Sequence, residues 1–308
     1  MTKPNSCASN PPSASATTHS KKRSLGDLAY SFLKFQFNRF REYEAAVRSR
    51  DDPEDLHQLR VALRKIRAAL KFFREILPPE AQKFRQFLGT LGSFLGHARD
   101  ADIQLMQWAE LMGEYLPKYP EACLWYEKYL LQEKERWYQA MLAQLENPEV
   151  QQNLSDFNQF LTNTILSNQP ADKAGKGLLQ KAYQRNRKAG DALQKLSSPK
   201  QFHALRIACK NLRYALECFS PVYGKPARSF IKKLSKLQDL LGAYQDAVTA
   251  SQKLEDLLKK HQEYLSQERL LSEMLKNIES QMEKLAILIP PKYERILGTS
   301  FPKFFKRL

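Results

Sequence analysis

The chain has 308 residues, with 49 Lys and Arg against 33 Asp and Glu, for a formal charge of +16. That length, with 43% hydrophobic residues, supplies a core without a disulfide or metal staple, and no apolar run approaches the roughly 20 residues that cross a bilayer. A positive excess of this size favours a polyanionic partner if it is gathered on one surface, and by itself does not name the partner.

Residues 1–24 are rich in Ser, Thr, Pro and Asn and close on Lys21, Lys22 and Arg23. They cannot bury enough apolar surface to offset the entropy of ordering, so they read as a disordered basic arm. The arm lacks the apolar centre of a signal peptide. Cys7, Cys123, Cys209 and Cys218 show no spacing suited to metal binding or pairing. A cytoplasmic protein is expected.

From Leu25 onward, apolar residues recur three and four apart, there are only 11 glycines in the chain, and no β-branched alternation appears. The fold class is therefore all-α. Breaks are expected at Asp51-Asp52-Pro53, Leu77-Pro78-Pro79, Leu116-Pro117, Asn147-Pro148, Ser197-Ser198-Pro199, Pro221 to Pro226 and Ile289-Pro290-Pro291, where proline removes a backbone donor. The widest break, Asn168 to Gly177, divides the chain into a first repeat at 25–168, a linker at 169–177 and a second repeat at 178–308.

The two halves are duplicates. HQLRVALRKIRAALKFF at 57–73 aligns without gaps to HALRIACKNLRYALECF at 203–219, with eight identities in seventeen positions and an offset of 203 − 57 = 146. LGTLGSFLGHARDA at 88–101 aligns to LSKLQDLLGAYQDA at 234–247 at the same offset, 246 − 100 = 146. Unrelated helices would not keep both the residues and the spacing between the blocks. Each half should form a bundle of about four helices, stacked on its twin about a pseudo-two-fold axis.

On a helix of about 100° per residue, His57, Arg60, Arg64, Arg67 and Lys71 share an arc of roughly 80° beside an apolar stripe of Leu59, Leu63, Ile66, Leu70 and Phe73. His203, Arg206, Lys210 and Arg213 repeat the pattern, with Glu217 in place of a second Lys71. Rows of Arg suit phosphate oxygens through planar bidentate hydrogen bonds, and Lys adds a mobile point charge. One such face alone could be merely solvated. Two copies retained while Lys65/Asn211 and Ala68/Tyr214 drift point to binding.

His57 and His203 are either structural histidines near helix starts or ligand groups; as ligand groups, their pKa should be lowered by the neighbouring arginines and raised by a bound anion. Asp100 and Asp246 could hold an arginine in place or cap a helix. Arg39, Arg41, Arg185 and Arg187 repeat at the same offset as secondary candidates, and Lys233 and Lys236 are weaker ones, since their counterparts in the first copy, Phe87 and Thr90, are not basic. No metal site is expected, since one His per helix is offered with no carboxylate on its stripe.

The paired HxLR helices, each followed by LGHARDA or LGAYQDA, resemble the CHAD family, the conserved histidine α-helical domain. The resemblance covers nearly the whole chain beyond the arm. It implies two tandem antiparallel four-helix bundles related by internal pseudo-two-fold symmetry, with a basic groove or pore that binds inorganic polyphosphate, often at polyphosphate granules. The family's basic residues fall on His57, Arg60, Arg64 and Arg67, and on His203, Arg206, Lys210 and Arg213; Glu217 departs from the pattern. The ExExK motif of the CYTH domains often fused to this family is absent, so a stand-alone form is expected.

A nucleic-acid-binding protein is the alternative, because the same charge excess suits a phosphodiester backbone, although no helix-turn-helix, RRM or zinc-finger pattern is present. An enzyme acting on phosphates is not expected, and neither is a cofactor. The chain has no P-loop and no cluster of carboxylates to hold Mg²⁺.

Overall fold

The computed structural model describes residues 23–49, 52–163, 169–193, 197–260 and 265–308. The arm expected over residues 1–24 lies outside these up to residue 22, as do Asp51 and Asn168 at two expected breaks. The described elements are α1 (Leu25–Ala46), α2 (Pro53–Phe72), α3 (Ala81–Tyr115), α4 (Pro120–Glu146), α5 (Pro148–Asn163), α6 (Ala171–Asp191), α7 (Pro199–Lys260), α8 (Leu265–Tyr293), a π-helical segment (Glu294–Ser300) and α9 (Phe301–Phe305). Among the described residues the sole β feature is an isolated bridge between Ser24 and Pro170.

The helix starts follow local chemistry. Ser24 and Asp27 form a capping box on α1, satisfying donors that the first turn leaves free. Asp52 accepts from the Glu54 amide at 2.8 Å ahead of Pro53, the first residue of α2. Proline also opens α4, α5 and α7, where its missing N–H is not needed.

Two expected breaks are corrected and a third is found. Gly175 and Gly177 lie inside α6, not in a linker, because a Cβ at Gly175 would overlap the Phe219 ring: glycine here permits close packing of α6 on α7. The break expected at Pro221 to Pro226 is present: α7 is two helical stretches joined across a kink at Gly224, whose φ of 59° and ψ of −136° are non-helical, a positive-φ conformation that glycine adopts without a Cβ penalty. Pro290 and Pro291, by contrast, lie inside α8 and do not end it. Ile289 and Tyr293 are buried on both sides of them, which holds the chain against the core while the following turn widens into a π-helix.

Two apolar cores result. The larger joins α1, α2, α5, α6 and parts of α3, α4 and α7 with the C-terminal segment. The smaller lies at the tips of two long hairpins, where Trp108, Tyr115, Cys123 and Tyr126 of α3 and α4 pack with Leu254, Leu257, Leu270 and Leu271 of α7 and α8. Both α3 and the part of α7 after Gly224 run from one core to the other. The interval between the cores is polar, with Asp100 and Gln104 on α3 and Lys253 on α7, whose Nζ donates to Gln104 Oε1 at 2.8 Å. No described helix is long and apolar enough to cross a membrane.

Candidate functional site: a basic cluster between α2 and α7

The duplicated helices α2 and the first part of α7 pack on each other at their C-terminal ends. The Phe72 and Phe73 rings lie 5.9 Å and 6.2 Å from that of Phe219. Just before this apolar seal, Lys65 Nζ and Glu217 Oε2 pair across the helices at 2.9 Å. The departure at Glu217 is thus a cross-helix ion pair, and Glu217 also faces Arg213 at 3.5 Å.

Ahead of the seal the two cationic faces converge. Burial, then Arg64, Arg206, Arg60 and Arg213, pull the Lys210 ammonium down to about 7. Burial also lowers Arg206, with Arg64 adding to the effect and Asp246 opposing it. Cations from both helices therefore form one cluster. Among the described residues, no ion pair joins Arg64, Arg206 or Lys210 to a carboxylate, and the Arg64 Nε donor is buried without an acceptor. At an effective dielectric of 20, unit charges about 5–6 Å apart repel by about 3 kcal/mol, so this cluster is costly until an anion enters it.

Arg60 is anchored on α3. Its Nη1 donates to the Gly96 carbonyl at 2.6 Å, the Leu95 carbonyl at 3.2 Å and Asp100 Oδ1 at 3.2 Å. Asp100 thus orients an arginine. Asp246 is exposed and acts on Arg206 by charge, without an ion pair. Arg67 lies over α3 beside Gly89 and Gly92.

The two histidines differ. Burial holds the half-buried His57 imidazole below its usual range, with Arg99, Arg64 and Arg60 adding to the effect and Glu54 opposing it. His203 is exposed, and its Nδ1 lies 2.6 Å from Gln245 Oε1. Gln245 is the counterpart of Arg99, since 99 + 146 = 245, so one exchange in the repeat gives the two histidines different neighbours.

The remaining candidates sit elsewhere or at the margin. Lys71 is exposed in the last turn of α2. Arg39 bonds Gln58 on α2 at 3.0 Å. Arg41 pairs with Glu44 and bonds Gln151, tying α1 to α5, and Arg187 pairs with Asp191 and Glu294; both guanidiniums serve packing. Arg185, Lys233 and Lys236 are exposed and make no described contact with the cluster.

Sequence reading missed Arg99, whose Nη1 donates to the Pro53 carbonyl at 3.2 Å at the start of α2. Behind it lies Asp102, 3% exposed, 3.0 Å from Lys134 and 4.0 Å from Arg99. Neither residue could be found by duplication, because their counterparts are Gln245 and Val248. Among the described residues, no group of three or more His, Cys, Asp or Glu could hold a metal ion.

The CHAD domain family matches residues 31–255. Among solved structures, the CHAD domain from the plant Ricinus communis is 24% identical, with a TM-score of 0.74 over 94% of this chain and 97% of that one. PptA from Streptomyces chartreusis is 16% identical, with a TM-score of 0.75 over 88% of this chain and 100% of that one. No curated protein matches.

Proposed function

Since the chain belongs to the CHAD domain family, we propose that it binds inorganic polyphosphate, without catalysing a reaction on it, in the cleft between α2 and the first part of α7. The observation that carries this reading is the convergence of Arg60, Arg64, Arg206, Lys210 and Arg213 on a space with too few carboxylates to neutralise them. A linear row of phosphates supplies the missing charge, and each phosphate offers several acceptors to the arginine forks.

The two halves are tandem four-helix bundles related by a pseudo-two-fold axis. This part of the proposal is supported by equivalent residues meeting across the molecule: Arg64 acts on Lys210, and Phe73 packs on Phe219. In each pair the second residue is the first plus 146. A cytoplasmic location at polyphosphate granules accords with the ligand.

The test is polyphosphate binding by the wild type beside an Arg60→Ala/Arg64→Ala/Arg206→Ala/Arg213→Ala variant whose circular dichroism remains helical. Loss of affinity by about 100-fold or more is expected, at roughly 1.4 kcal/mol per factor of ten. Undiminished binding by the folded variant would remove the cleft as the site. RNA or DNA that displaces long-chain polyphosphate at equal phosphate concentration would assign the cleft to nucleic acid instead.

A further inference from the structure

The basic face of α2 continues past the cleft. Arg67 follows Arg64 by three residues, within the about 5–6 Å that separates neighbours on a helix. Its guanidinium lies over α3: a Cβ at Gly89 would be 3.2 Å from Arg67 Nη2, and one at Gly92 would be 3.3 Å from Nη1. The two glycines leave a notch where the planar group rests. Each costs about 0.5–1 kcal/mol relative to alanine inside a helix. Arg85 lies one turn before Gly89 on α3, near enough that its charge, after burial, lowers the Arg67 pKa. The Arg67 Nε is buried without an acceptor, while Arg85 Nε donates to Gln82. Among the described residues, no ion pair joins either guanidinium to a carboxylate.

The duplication provides an internal comparison. At the matching seam of the second half, Arg213 Nε also has no hydrogen-bond acceptor but forms an ion pair with Glu217 at 3.5 Å. Ile231 stands where Arg85 does, 85 + 146 = 231, and Ser235 and Gln238 stand where the glycines do. Among the described residues, the arginine pair without a carboxylate is found at this seam and not at its counterpart.

We propose that the α2–α3 seam, with Arg67 and Arg85, is the path by which a phosphate chain too long for the cleft leaves it. Arg85 is then a ligand-binding residue for long chains alone, on one side of a duplicated molecule. This rests on the cleft reading and adds to it a direction and a dependence on length.

The experiment compares tripolyphosphate with long-chain polyphosphate on the full chain. Arg85→Ala is expected to leave tripolyphosphate affinity within about twofold and to lower long-chain affinity about 5- to 10-fold, with a salt slope smaller by about 0.7 for one lost contact. Arg85→Gln, which keeps the stem, gives the same result, and Arg85→Lys recovers most of the loss. Arg228→Ala/Lys232→Ala, on exposed positions of α7, leaves both affinities unchanged, since screening over a Debye length of about 8 Å confines the effect of remote charges. Equal losses for the two ligands, no loss for the long chain, or an equal long-chain loss in the α7 variant would each overturn the path. Wild-type protein that binds neither ligand would overturn the cleft reading, and the path with it.

Discussion

Lys210 lies among four arginines from two helices, and its depressed pKa is a statement about stability. Its native value is about 7, against an ordinary 10.5, so between these pH values the unfolded chain holds a proton that the native state gives up. Stability therefore rises with pH across that window, and the penalty is fully present below about 7. Lys210→Met should stabilise the ligand-free protein by an amount on the order of a few kcal/mol near pH 7, and by progressively less toward pH 10. Thermal melts at several pH values read this directly, and a destabilised variant at pH 7 would refute it. The residues of this cluster were legible in the sequence because helical spacing and duplication both mark them. Arg99 and Arg85 were not, since their counterparts are Gln245 and Ile231, and their proximity to His57 and Arg67 is created by packing of α3 on α2.

Among the helices, glycine and proline were the least readable signals. Gly175 and Gly177 looked like a linker because their composition resembles one. The fold instead uses glycines of α6 to bring helices close, and a Cβ at Gly190 would run into the Tyr293 ring. Gly242 has nothing within 4 Å of the position its Cβ would take. Gly190→Ala should cost about 1–3 kcal/mol through overpacking, whereas Gly242→Ala should gain about 0.5–1 kcal/mol from helix propensity. Denaturant midpoints of the two variants test this contrast, and equal shifts would contradict it. Prolines were read well at helix starts, where their chemistry is local. They were misread at Pro290 and Pro291, where the buried Ile289 and Tyr293 override the local preference in a way that no spacing announces.

For the whole molecule, two apolar cores enclose a polar interval, and the cationic faces of α2 and α7 meet beside it. Helical spacing of apolar residues made the all-α class plain from the sequence, and duplication did the same for the paired helices. The second core was not foreseen, because the residues that build it at the hairpin tips come together only once both hairpins are folded. In the proposed complex a phosphate polymer lies against Lys210, whose neighbours are Arg60 and Arg64 of α2 and Arg206 and Arg213 of α7. An anion there must raise the depressed ammonium pKa, so binding above neutral pH takes up protons and weakens as pH rises further. Calorimetry of long-chain polyphosphate binding near pH 8, in two buffers of different ionisation enthalpy, counts those protons. Uptake approaching one proton per site, largely abolished in Lys210→Met, is the predicted result; binding with no proton uptake, or uptake unchanged in that variant, would contradict it.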